Sequence, residues 1–454
     1  MSESKKRITY KQLFLFFLPL AVTPTIIGTS HSIVDAALAR LPSPELSIAI
    51  FHVVKGLSNI IKAPIYMSRQ VTASMVDSRE SYFLTMKFLT FFCGLFLFIL
   101  MALAFTPLGE WVFRNIIGLS TAEEISFAYM SLRITCFLPI VELLRNSNQG
   151  LVITLEKTNL ILPGIILRLV FVSTLLWWTV QTQAITGIVA GSITWLAGIG
   201  IEGLFILGSV IYLYKSPARA AELMPRTNNT KLTYKDVAKF FIPLGLMMSV
   251  GAFIYPIIQS SLARSVSPTQ ALAAFGVAMG LLFVLTGCLS MLHNVSLVYA
   301  DKHGDENWSY IFKFCLFIGI IISLIIFIIA ITPIGFWVFN SIIGVSVEIT
   351  EIARRIMLVL AITPLFRAIR EAYWGLLMTE RNTRVIGVAK LANIIALLIS
   401  IVPALLILPI HPAIIGAIAF AFGEAVETLL IWYQAVADKA LIRKQIKGYL
   451  RMTS

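Results

Sequence analysis

The chain repeats itself without a gap. TYKQLFLFFLPL opens at Thr9, and TYKDVAKFFIPL opens at Thr233, 224 positions later. LARLPSP from Leu38 and LARSVSP from Leu262 keep the same offset. TPLGEWVFRNIIGLS from Thr106 returns as TPIGFWVFNSIIGVS from Thr332 at an offset of 226, and GLVITLEKT from Gly150 returns as GLLMTERNT from Gly375 at 225. So long a period excludes a solenoid of short stacked units. One half of the chain must be built like the other.

What each half is built from follows from its apolar content. Hydrophobic residues make up 58% of the 454, charged residues 13%, and the mean hydropathy is +0.87. A soluble core does not need that much apolar surface. A bilayer's hydrocarbon core is about 30 Å thick and takes roughly 20 apolar residues of helix. Runs of that length recur and are continuous rather than alternating, which argues against a barrel of strands. The pattern predicts an all-α membrane protein with twelve crossing helices. The first six lie at 12–34, 46–68, 83–105, 124–152, 159–180 and 185–213. The second six lie at 239–262, 270–298, 311–331, 351–378, 384–408 and 412–436. The expected organisation is a half at 1–213, a linker at 214–238, a second half at 239–436 and a basic tail at 437–454. Six crossings per half make the two halves parallel repeats, the plan of many secondary transporters, with the substrate site between halves.

Charge sets the expected orientation. One set of loops and ends carries Lys5, Lys6, Arg7, Arg69, Arg79, Lys157, Lys215, Arg226, Arg384, Lys444 and others. The opposite loops carry only Arg40, Arg114 and Arg264, with Glu45, Glu110, Glu123, Glu124 and Glu348. Positive loops stay in the cytoplasm, so both termini are expected there, in the plasma membrane. The net charge of +13 is explained by these flanks and by attraction to anionic lipid, with no nucleic-acid partner required. Cys93, Cys136, Cys288 and Cys315 fall in helices without metal-ligand spacing, so reduced thiols, no metal and no cofactor are expected.

Enzyme motifs are missing. The sequence has no GxxxxGK[ST] phosphate loop, no HExxH and no GxSxG. This argues against ATP hydrolysis of the P-loop kind and against zinc or serine hydrolase chemistry.

A charge inside the bilayer costs at least a few kcal/mol and normally faces a cavity or a partner. His52, Lys55, Asn59, Lys62, Tyr66 and Arg69 are spaced 3, 4, 3, 4, 3, on one helical face. Lys55, Asn59 and Lys62 are therefore read as lining a cavity. The matching face of the second half, Gly276, Met279, Phe283, Thr286, Ser290 and His293, is chemically different. Glu142, Arg145 and Gln149 recur as Arg367, Arg370 and Trp374, each set following a proline, Pro139 or Pro364. These residues are expected to contact substrate, to form a salt-bridge network, or both. An ion pair between Glu142 and Arg367 would gate the cytoplasmic side. Arg168 and Lys390 add positive charge, while Glu202, Glu424 and Glu427 are either their partners or coupling sites for H+ or Na+. Asp35 joins them as a coupling or gating acid. Basic groups outnumber acidic ones in the membrane interior, which favours an anion over an organic cation.

The loop YMSRQVTASMVDSRESY from Tyr66 lacks the GxxxDRxGRR-type motif of the major facilitator superfamily. FFLPLAVTP from Phe16, DAALAR from Asp35 and TPLFRAIREAYWGLLMTERNT from Thr363 instead resemble the progressive ankylosis (ANK) family. Pro364, Arg370, Gly375 and the run Leu377 to Thr379 carry the match in the last stretch. That family lies in the multidrug/oligosaccharidyl-lipid/polysaccharide (MOP) superfamily, whose fold is the MATE type. The resemblance implies export of small anions such as pyrophosphate, ATP or citrate. The wider superfamily implies two alternatives: a flippase for a lipid-linked anionic precursor, and a cation-coupled drug exporter. The family's long acidic tail has no counterpart in this sequence, which ends in a short basic one.

Overall fold

The computed structural model describes all residues except 1–7, 39, 120, 225–230, 263, 301–304, 344 and 453–454. Among the described residues every regular element is a helix. Ten helical runs among the described residues, from Leu46–Met75 to Pro412–Ala437, are long and apolar enough to cross a membrane. The chain is thus a multi-pass, all-α membrane protein. The other two expected crossings fall in Tyr10–Leu38 and in the pair Val347–Leu360 and Thr363–Thr379. The latter pair carries Glu351, Arg354, Arg355, Arg367, Arg370 and Glu371, which lowers its apolar character.

Local chemistry starts the helices where the sequence turns polar. Ser78 caps Arg79–Phe105 and exchanges bonds with Ser81, and Thr121 caps Ala122–Thr135 and does the same with Glu124. Proline occupies the first turn at Pro44, Pro107, Pro268, Pro333 and Pro412, where no helical amide bond is lost.

Two matched interruptions divide the helices that carry charge. Pro44–Lys62 tightens into a 3-10 turn at Ala63–Met67 and resumes as Ser68–Met75. Pro268–Thr286 does so at Gly287–Met291 and resumes as Leu292–Tyr299. Only the first turn contains a proline, Pro64, so proline alone does not impose the break. Short 3-10 stretches inside helices often mark functional hinges. Likewise, Ala122–Thr135 gives way to Leu138–Thr154 just before Pro139, and Val347–Leu360 gives way to Thr363–Thr379 just before Pro364.

Packing divides the chain into two compact units. One is Val22–Ser249; the other joins Met1–Ala21 to Val250–Ser454. We call them the N-terminal and C-terminal units. They differ from the linear halves 1–213 and 239–436, because each takes in part of the other half's first helix. Phe17 meets Phe314 at 5.7 Å between ring centroids, within the C-terminal unit. Phe241 meets Phe88 at 5.6 Å, within the N-terminal unit. These are the same contact at repeat-related positions, so the aromatic run FF before each first-helix proline selects the exchange.

The cores obey the repeat as well. Leu38, Phe113, Ala128 and Leu132 are buried in one. Leu262, Phe339, Ala353 and Met357 take their places in the other. Gly150 and Gly375 allow close approach between helices far apart in the chain. A Cβ at Gly150 would stand 2.5 Å from the carbonyl oxygen of Arg69, and one at Gly375 would stand 2.3 Å from that of His293. Cys93, Cys136, Cys288 and Cys315 are free thiols.

Candidate functional site

In the N-terminal unit the polar helix face opens on a cavity of about 150 Å³. Lys55, Asn59 and Lys62 of Pro44–Lys62 line it, with Tyr66 from the 3-10 turn. Glu142 and Arg145 of Leu138–Thr154 line the second side. Arg168 of Ile161–Thr182, and Trp195 and Ile199 of Gly187–Tyr214, complete it.

The charges form an alternating chain. Glu142 accepts from Lys62 Nζ at 2.8 Å on one oxygen, and from Arg145 Nη2 at 2.9 Å and Asn146 Nδ2 at 3.0 Å on the other. Glu202 lies 3.6 Å from Arg145 and accepts from Arg168 at 3.2 Å and from Gln149 Nε2 at 2.9 Å. Lys62, Glu142, Arg145, Arg168 and Glu202 are each at most 7% exposed, so every carboxylate is shared by two cations in a low-dielectric setting. Such sharing offsets the desolvation of both acids and leaves the surplus positive.

Two further cations extend the chain without an acid of their own. Lys55 Nζ lies 5.9 Å from the Phe51 ring and, among the described residues, has no ion pair. Arg69 is buried; it packs over Tyr66 at 5.3 Å and donates to Gln149 Oε1 at 3.4 Å, with its Nε unbonded. Trp195 lies 5.5 Å from Lys62 Nζ and walls the cavity.

The C-terminal unit builds a second cluster from the matching helices. Arg370 donates to Glu424 at 2.8 Å, to Glu427 at 3.2 Å and to Glu371 at 3.4 Å. Lys390 donates to Glu427 at 2.5 Å, and Asn393 donates to Glu427 at 2.7 Å. His293 pairs with Glu371 at 2.9 Å and faces Trp374 at 5.2 Å. Arg367 donates to Thr286 Oγ1 at 3.4 Å, and its Nε is unbonded. Here Arg370 and Lys390 share three carboxylates, and Arg367 lies beside them without a direct ion pair among the described residues.

Several expectations gain a geometry. Lys55, Asn59, Lys62, Arg145 and Arg168 come together at one cavity. Arg367, Arg370 and Lys390 belong to the other cluster. Asp35 is not part of the cavity lining; it bonds His52 Nε2 at 3.0 Å, with both side chains well exposed. Both Glu142 oxygens are engaged within its own unit, by Lys62, Arg145 and Asn146. The basic excess read from the sequence is unevenly distributed. It belongs to the N-terminal cluster, because Glu371 balances the C-terminal one. Glu371, Asn146 and Asn393 were missed. The repeat itself pointed to the first two, since an offset of 225 places Glu371 on Asn146, next to the matched pair Arg145 and Arg370.

Residues 226–443 match the family model of the progressive ankylosis protein (ANKH). Over that stretch, just under half of the chain, the sequence is similar to the progressive ankylosis family. The whole chain has the fold of MATE-type transporters. It is similar to an outward-facing MATE-family multidrug resistance transporter of the MOP superfamily, with a TM-score of 0.75, 12% identity and 96% of each chain covered. A MOP superfamily transporter from Pyrococcus furiosus, described as having a binding pocket of reverse polarity that suggests a different function, gives a TM-score of 0.73 at 12% identity. There the coverage is 95% of this chain and 96% of that one. The eukaryotic MATE transporter AtDTX14 gives 0.70 at 12% identity, over 94% and 95%. The resemblance drawn from TPLFRAIREAYWGLLMTERNT agrees with the family match over residues 226–443, and the expected fold is borne out over the whole chain.

Proposed function

We propose that this protein is a secondary transporter that exports a small organic or phosphate-containing anion by alternating access. The observation that carries the reading is the lining of the N-terminal cavity. Lys55, Lys62, Arg145 and Arg168 face it, against the single carboxylate of Glu142. A low-dielectric cavity of that sign concentrates anions and rejects organic cations. The lysines act as mobile point charges, and the arginines present planar forks suited to carboxylate or phosphate oxygens. Asn59 adds a neutral donor. In the C-terminal unit Arg367 is the cation least committed to an acid, and with Arg370 and Lys390 it completes the set of candidate anion contacts. The proposed topology has twelve crossings in two parallel repeats, with both termini in the cytoplasm of a plasma-membrane protein. A H+ or Na+ gradient drives the cycle through Asp35, Glu142, Glu202, Glu424 or Glu427.

Counterflow into proteoliposomes tests the reading against citrate, pyrophosphate, nucleotides and a lipid-linked pyrophosphate. Uptake of at least one soluble anion is expected. Lys55→Met should lower that uptake at least tenfold while leaving expression and thermal stability near wild type, because Lys55 makes no direct ion pair among the described residues. Normal uptake by the variant removes Lys55 from the site; uptake of the lipid pyrophosphate alone replaces export with flipping.

A further inference from the structure

Glu142 is a carboxylate placed inside a cavity whose other charged lining is cationic, and the scaffold does not require it there. The repeat supplies the control. Lys62 and Glu142 correspond to Thr286 and Arg367, and the same helices pack in the C-terminal unit with no acid at that point. Glu202 is the opposite case. It lies outside the cavity lining, is fully buried, and recurs as Glu427 in the same structural role. One acid of the N-terminal cluster thus belongs to the scaffold, and the other faces the cavity.

We propose that Glu142 is a tethered counter-ion: it neutralises Lys62 and Arg145 in the empty site and yields them to the transported anion. The role rests on the anion reading above and describes how the same site is regulated. Glu142 offers one oxygen to Lys62 and the other to Arg145 and Asn146, the bridging pattern of a carboxylate or phosphoryl ligand. A displaced Glu142 keeps a partner, because Asn146 is its neighbour one turn along the helix. Attachment to the helix gives the carboxylate a high effective concentration at the two cations. Chloride offers one centre and competes poorly with it. An anion with several oxygens can bridge Lys62 and Arg145 and regain both contacts. Glu142 thereby excludes small monovalent ions and keeps the cations from binding substrate so tightly that it cannot leave.

The test is direct binding of inorganic pyrophosphate, sulfate and citrate to the full chain in lipid nanodiscs, with chloride as competitor. Glu142→Gln keeps the shape and removes the charge. Its affinity for pyrophosphate should rise about tenfold, from the loss of one nearby negative charge in a partly screened site, and chloride should become an effective competitor. Unchanged or weaker binding in folded Glu142→Gln overturns the proposal. Should that variant fail to fold, with two cations left unpaired, Glu142→Asp serves instead. It retains the charge but shortens the reach to Lys62, so a smaller tightening is expected, and wild-type affinity and chloride resistance in it overturn the role. Wild-type protein that binds none of the three anions sinks the anion reading itself; binding that Glu142 variants leave unmoved sinks only the counter-ion.

Discussion

The two ionic clusters are built on repeat-related helices around the matched arginines Arg145 and Arg370, and they differ in net charge. Around Arg145 the N-terminal unit gathers Lys62 and Arg168 with Glu142 and Glu202, and Lys55 and Arg69 lie close by without acids. Around Arg370 the C-terminal unit gathers Lys390 with Glu371, Glu424 and Glu427. The central arginine and one acid, Glu202 or Glu427, are common to both. The peripheral charges are not. Duplication preserved the helix geometry and the central ion pair, and the residues around them diverged. One cluster is left with charge to spare for a ligand, and the other satisfies itself. A symmetric scaffold can therefore hold one oriented anion, because the asymmetry lies in side chains that the packing does not demand.

The comparison makes its largest prediction at the two arginines. Arg370→Met leaves three buried carboxylates with Lys390 and His293 as their remaining partners, and should cost about 3–5 kcal/mol. Arg145→Met leaves Glu142 with Lys62 and Glu202 with Arg168, and should cost about 1–2 kcal/mol. Thermal unfolding in one detergent reads both. Equal losses would mean that the clusters are electrostatically alike and would break the contrast.

The glycines test the opposite claim, that the scaffold is duplicated. Gly150→Ala and Gly375→Ala each push a methyl group into a backbone carbonyl of the facing helix. Each should cost about 1–3 kcal/mol, and the two costs should agree. A large difference between them would show that the helix contacts diverged along with the charges.

The smallest effect lies in the turn before Pro412. Burial holds the His411 imidazole below its ordinary value of 6.5, and its Nδ1 accepts from the Ala413 amide at 3.3 Å. The fold therefore favours the neutral ring. Stability is complete above the unfolded value and declines as pH falls below about 6.5, where the unfolded chain takes up the proton more readily, until the lower folded value is passed. The matched position in the other half is Thr186, which does not titrate. His411→Gln should flatten a slight fall in melting temperature between about pH 7.5 and about pH 5.5. An unchanged slope would assign that fall to other groups.

Much of this was legible in the chain. Continuous apolar runs forced helices, because a bilayer leaves no other way to satisfy backbone groups. The spacing of Lys55, Asn59, Lys62 and Tyr66 placed them on one face, and they share one cavity wall. The offset of 225 identified Arg145 with Arg370 and Glu202 with Glu427, the central pairs of both clusters. Glu371 escaped notice since it follows Arg370 directly, and neighbouring residues on a helix point about 100° apart. Its partnership with Arg370 and His293 depends on a second helix that linear spacing does not describe.

The sequence alone determined the all-helical membrane class, the duplication, and which residues would bring charge into the bilayer. These are properties of composition and period, fixed before any two helices touch. Tertiary structure decided how the charges are shared. Whether a buried cation is free for a ligand depends on which carboxylate lies within about 3 Å of it, and those distances join positions as far apart as Lys62 and Glu142 or Lys390 and Glu427. Packing also decided which unit holds the start of each first helix, as Phe17 pairs with Phe314 and Phe241 with Phe88. Two such similar sequences offer each helix two similar partners, and only contact in three dimensions selects between them.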